Sequence, residues 1–146
     1  MPLPEFNEFG DLPEGVYRAA FEEVVARFGH GSDQRVAVSG RLRRIFELAI
    51  CTGALDRLTV FGSYVSDKDE PNDVDVILVM RDEFHPANCP SDAQALFDHK
   101  RAASEFGASI FWIRPGMVLG VPLDQFIAHW QVKRDGRRRG IVEVRA

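Results

Sequence analysis

The chain has 146 residues, 45% hydrophobic and 27% charged, with a formal net charge of −4: one domain of ordinary globular composition, long enough to bury a core. That balance excludes a binder drawn to nucleic acid or anionic lipid by overall charge, and the distant pair Cys51 and Cys89 excludes a disulfide framework. No apolar stretch approaches the roughly 18 residues of a membrane span, and the first residues lack a basic-then-apolar signal layout, so a cytoplasmic protein with no membrane partner is expected.

Residues 1–12 are rich in proline and acid and read as an irregular lead-in to a single domain over 1–146. Pro13 suits a first helical turn, and Tyr17, Ala20/Phe21, Val24/Val25 and Phe28 follow at helical spacing. Gly29 to Asp33 ends that helix. A second helix is expected from about Val38 to Thr52, with Leu42, Ile45/Phe46 and Ala49 inward and Gly53 as its stop. Leu58 to Phe61 reads as a short strand broken by Gly62-Ser63, and 66–72 as a polar loop.

Val74 to Met80 is nearly continuous apolar sequence, as in a strand covered on both faces. Pro90 to Gln94 resembles a capping box opening a helix to about Phe106, which Gly107 closes. Ser109 to Ile113 follows as a strand, with Phe111, Trp112 and Ile113 assigned to the core rather than to a base-stacking platform. After the apolar stretch 117–121, a last helix spans Pro122 to about Val132, and Gly140 to Arg145 forms an edge strand. The order predicts a small α/β (α+β) domain: a central mixed sheet with flanking helices.

Chemistry concentrates between the first two strands. From Gly62 to Asp75 there are five acids (Asp67, Asp69, Glu70, Asp73, Asp75) against one base, Lys68. Asp73 and Asp75, two apart on a strand, share a face, and paired carboxylates repel unless a cation lies between them. Mg²⁺, or Mn²⁺, suits that place, because it takes a few carboxylate oxygens and completes its shell with water and phosphate. Gly62 admits backbone close to a ligand, and the N–H groups about Ser63 suit phosphate oxygens. Lys133, Arg134, Arg137, Arg138 and Arg139 form a basic cluster, of which Arg137 to Arg139 read first as a charged turn protecting the edge strand and second as an RNA or acidic-partner contact. No segment reads as a base pocket.

The run Phe61-Gly62-Ser63, nine residues, then Asp73-Val74-Asp75-Val76 resembles the signature of the DNA-polymerase-β-like nucleotidyltransferase superfamily: a hydrophobic residue, Gly, Gly or Ser, a gap of roughly ten residues, then Asp-hydrophobic-Asp/Glu-hydrophobic. Leu12-Pro13-Glu14-Gly15, Arg27-Phe28 and Lys68-(two residues)-Pro71-Asn72-Asp73 resemble a small bacterial branch related to minimal nucleotidyltransferases that serve as antitoxins in toxin–antitoxin pairs. The resemblance implies a nucleotidyltransferase-like fold, with Gly62, Ser63 and Lys68 as nucleotide-binding residues and Asp73 and Asp75 as catalytic metal ligands. It also implies a nucleoside triphosphate, ATP foremost, and transfer of AMP to a protein or RNA hydroxyl. Active members bring a third carboxylate from a following strand; here that strand, Ala108 to Ile113, has no acid and offers Ser109. Two readings therefore stand open. One is a transferase. The other is a non-catalytic binding module, such as an antitoxin acting by contact with a toxin.

Overall fold

The computed structural model describes residues 3–117, 122–133 and 135–145; most of the apolar stretch 117–121 and Arg134 of the basic cluster lie outside them. Five strands, β1 (Val16–Ala20), β2 (Leu55–Phe61), β3 (Val74–Met80), β4 (Ala108–Ile113) and β5 (Ile141–Arg145), form one sheet in the order β1-β5-β2-β3-β4. β1 runs parallel to β5 and β3 parallel to β4, while β2 is antiparallel to both β3 and β5. The helices are α1 (Phe21–Phe28), α2 (Asp33–Cys51), α3 (His99–Phe106) and α4 (Leu123–Ala128). The expected mixed sheet with flanking helices is the fold.

The two faces are covered unequally. Val74, Val76, Leu78 and Met80 of β3 pack with Phe21, Val24 and Phe28 of α1, Leu42 and Ile45 of α2 and Ala102 of α3 in the main core. Ile77 and Val79 pack on the other face with Ile127 of α4, Ile141 and the half-buried Phe61 and Trp130. Burial on both sides removes the polar alternation of a half-exposed strand, which is why β3 is apolar almost throughout. No helix among the described residues is long and apolar enough to cross a membrane.

Several elements depart from expectation. Residues 16–20 are a strand, not the first turns of a helix: Tyr17 and Ala19 are buried while Val16 and Arg18 are exposed. That period of two competed with the helical spacing, and pairing with β5, more than 120 residues away, decided it. α1 starts only at Phe21, where the Glu23 carboxylate accepts the Ala20 N–H at 3.0 Å. α2 begins five residues earlier than expected, because Ser32 is its N-cap and accepts the Arg35 N–H at 3.1 Å. Residues Ser91–Phe97 form a 3-10 segment, not α-helix, and α3 follows only after Asp98 caps it, accepting from Lys100 and Arg101. β5 is internal, between β1 and β2, and not an edge.

The lead-in is irregular but built into the fold. Leu12 is fully buried, Phe6 lies 6.1 Å from the Phe28 ring, and the Asn7 side chain accepts the N–H groups of Phe9 and Asp11. Asp11 then bridges to Ser66, so the N-terminal segment becomes a wall of the loop between β2 and β3.

Candidate nucleotide and metal site

β2 ends at Phe61, and Gly62 turns the chain with φ 84° and ψ −164° into a single 3-10 turn, Ser63–Val65. This backbone region is essentially restricted to glycine. Space imposes the same choice: a Cβ on Gly62 would overlap Asp75 Oδ2 and lie 3.0 Å from its Cγ. The first carboxylate of β3 therefore rests against bare backbone at Gly62. Val65 N–H to Gly62 O (3.3 Å) and Ser66 Oγ to Ser63 O (2.6 Å) close the turn.

The returning loop is held by α2. Arg35, 6% exposed, donates to the carbonyls of Phe28, Tyr64, Ser66 and Lys68 at 2.5 to 3.0 Å. Ser32 Oγ donates to Asp69 O, and Gln34 Nε2 donates to Pro71 O and Asn72 O. The loop is too polar to hold itself by apolar burial, so side chains of one helix satisfy its carbonyls instead. The effect is to fix Lys68 and the approach to Asp73.

All five residues expected to form the site, Gly62, Ser63, Lys68, Asp73 and Asp75, line one open cleft of about 560 Å³, together with Asn72, Lys133, Asp135 and Arg139. The two carboxylates and the Ser63 and Asn72 oxygens are hard donors suited to Mg²⁺ or Mn²⁺. Among the described residues, no group of three or more His, Cys, Asp and Glu is placed to hold a metal. Two carboxylates would leave the other positions of a hard cation's shell to water and phosphate. In register, Asp75 has Phe61 on one side and Ser109 on the other. Ser109 thus stands beside Asp75 on the neighbouring strand.

Lys133 and Arg139 were not singled out as site residues from sequence. Both share one carboxylate, that of Asp11: Lys133 Nζ lies 2.7 Å from Oδ2 and Arg139 Nη1 3.3 Å from Oδ1, with Asp11 5% exposed. Asp11 alone does not neutralise both cations, and they line the same cleft as Asp73, Asp75 and Asp135. The basic cluster divides: Arg137 and Arg138 make the ion pairs of a charged turn, but the strand that follows is internal and not the edge expected. Arg137 pairs with Asp135 and lies 4.2 Å over the Phe9 ring, and Arg138 pairs with Glu14. Lys133 and Arg139 instead face the cleft. Sequence offered their charge but not their place, since contacts to Asp11 span more than 120 residues.

Tyr64, next to Ser63, is fully buried, with its hydroxyl 2.5 Å from Ser39 Oγ. Burial raises its pKa, while the Ser39 hydrogen bond and the Arg35 charge pull it partly back; burial also raises that of Tyr17. A folded-state pKa above the unfolded value of about 10 gives stability that is fully present below that pH and lost as pH rises through the folded value. Alkaline titration is therefore expected to show tyrosinate absorbance rising together with loss of near-ultraviolet circular dichroism. Tyr64→Phe should reduce the alkaline step. Full ionisation of both tyrosines near pH 10 with the fold intact would contradict this placement.

Phe111, assigned to the core from sequence, is 37% exposed on β4, whereas Trp112 on the opposite face packs edge-on against Phe84 and Phe97. A family model described as a family of unknown function (DUF6932) matches residues 4–145. No curated protein and no solved structure matches the chain.

Proposed function

We propose, for a chain that belongs to the DUF6932 family, that the cleft holds a nucleoside triphosphate with Mg²⁺ and serves nucleotidyl transfer. The observation that carries this is the meeting of Gly62, Ser63, Lys68, Asp73 and Asp75 in one cleft, with Lys133 and Arg139 on its rim. Asp73 and Asp75 would hold the metal, which supplies charge neutralisation for the phosphates when bound. Gly62 and Ser63 receive phosphate oxygens at the turn, and Lys68, Lys133 and Arg139 offset the charge that grows on the leaving pyrophosphate. In the reaction, an acceptor hydroxyl oxygen bonds to the α-phosphorus, its proton passes to solvent water, the bond from that phosphorus to the bridging oxygen breaks, and pyrophosphate departs toward Gly62-Ser63. ATP is the first nucleotide to test, with protein and RNA hydroxyls as acceptors.

A second reading rests on Ser109. With serine beside Asp75 where a third acid would accept the hydroxyl proton, the same fold would serve as a binding module, such as an antitoxin contacting a toxin. Incubation with Mg²⁺, α-labelled ATP, CTP, GTP or UTP and candidate acceptors separates the two. The transferase predicts label transfer that Asp73→Asn/Asp75→Asn abolishes and Ser109→Asp increases. The module predicts no transfer by the wild type and partner binding that the double variant keeps.

A further inference from the structure

Beyond the phosphate cleft lies a second space of about 430 Å³ that shares Gly62, Asp75, Lys133 and Arg139 with it. Its remaining walls are mainly aromatic: Phe61 ends β2, Phe111 stands on β4, and Trp130 comes from the 3-10 turn after α4. The Trp130 ring lies 4.9 Å from that of Phe61 and 5.0 Å from that of Phe111. Ser109 and His129 add polar groups beside the rings. These residues come from three separate segments, which is why no stretch of sequence reads as such a pocket.

We infer that this pocket is a nucleobase subsite, in which the base of the bound nucleotide stacks on Phe111 and Trp130. The inference rests on the reading of the cleft as a triphosphate site. Continuity is the first support: a nucleotide with its phosphates between Asp73, Asp75 and the three cations carries its base out past Asp75, and the adjoining space is aromatic. Chemistry is the second. Stacking on flat side chains accepts any base, and Ser109 and His129 offer hydrogen-bonding groups at the rim. The second core consists of Ile77, Val79, Ile127 and Ile141, with Phe61 and Trp130 packed against it. Phe111 lies against both of those rings yet keeps 37% of its surface exposed, and that exposed part, at the mouth of a charged cleft, offers a platform.

Calorimetric titration with Mg²⁺-ATP and, separately, Mg²⁺-tripolyphosphate tests this. The wild type should bind ATP about ten- to hundredfold more tightly than tripolyphosphate, the usual worth of one base stacked on aromatic rings. Phe111→Ala should lose most of that preference and leave tripolyphosphate affinity unchanged, and Phe111→Leu, which keeps apolar bulk without a flat face, should resemble it. Equal wild-type affinity for the two ligands, a comparison that needs no variant, overturns the base subsite while the triphosphate reading stands. Equal losses for both ligands in Phe111→Ala also overturn it, because Phe111 then only supports the fold. Absence of binding by either ligand overturns the triphosphate reading and the subsite with it.

Discussion

Arg35→Ala is expected to destabilise the protein by about 3–5 kcal/mol, since it leaves four carbonyls without their donor at about 1–3 kcal/mol for each that water does not reach. At this chain length that lowers the thermal midpoint by roughly 10–20 °C. Burial lowers the Arg35 pKa, but Tyr64, Asp67 and Asp69 act the other way, and a guanidinium stays charged at any working pH. Its five donors reach four carbonyls from three segments: the end of α1, the turn after Gly62, and the loop toward Asp73. Alanine leaves those carbonyls without donors in a space water fills poorly. Lysine keeps the charge, but its compact ammonium cannot span the four acceptors, so Arg35→Lys should recover only a minor part. A loss below about 1 kcal/mol in urea unfolding would show that the loop is not held from α2.

Gly62→Val is expected to remove ligand binding more completely than any other single change at the turn. Forcing a β-branched residue into the conformation of Gly62 costs about 1–3 kcal/mol in backbone strain alone. The added Cβ also overlaps the Asp75 carboxylate, so either the turn or the acid must move. Both carry the site. The variant should therefore combine a loss of about 2–4 kcal/mol in stability with at least a hundredfold loss of metal–nucleotide affinity. Gly62→Ala should show the same pattern more weakly. Wild-type affinity in Gly62→Val would mean that Asp75 and the Gly62 backbone act independently, against the packing seen between them.

What could be read from the sequence follows the range of the interactions. Gly62-Ser63 and Asp73-Val74-Asp75 were legible because strand, turn, loop and strand are local, and each uses residues whose conformational or charge requirements are narrow. The apolar run of β3 announced its burial on both faces. The rest depended on distant partners. Residues 16–20 fit either period until β5 supplied hydrogen bonds, and β5 looked like an edge because nothing local tells a terminal strand from one inserted beside β2. Arg35 lies in a helix among other arginines that face outward, and its burial follows from a loop 29 to 33 residues on. Lys133 and Arg139 look like the rest of a basic cluster; Asp11 selects them for the cleft. The aromatic pocket needed three elements to meet before it existed.

The central claim is that Asp73 and Asp75 hold a divalent cation together with a nucleoside triphosphate. Mn²⁺ stands in for Mg²⁺ and is counted directly by electron paramagnetic resonance, so a titration of Mn²⁺ into the protein, with and without ATP, tests it most plainly. The wild type should bind Mn²⁺ with an affinity that ATP raises, and Asp73→Asn/Asp75→Asn should lose protein-bound Mn²⁺ in both conditions while keeping its thermal midpoint. Mn²⁺ and ATP binding no tighter in the wild type than in the folded double variant would contradict it.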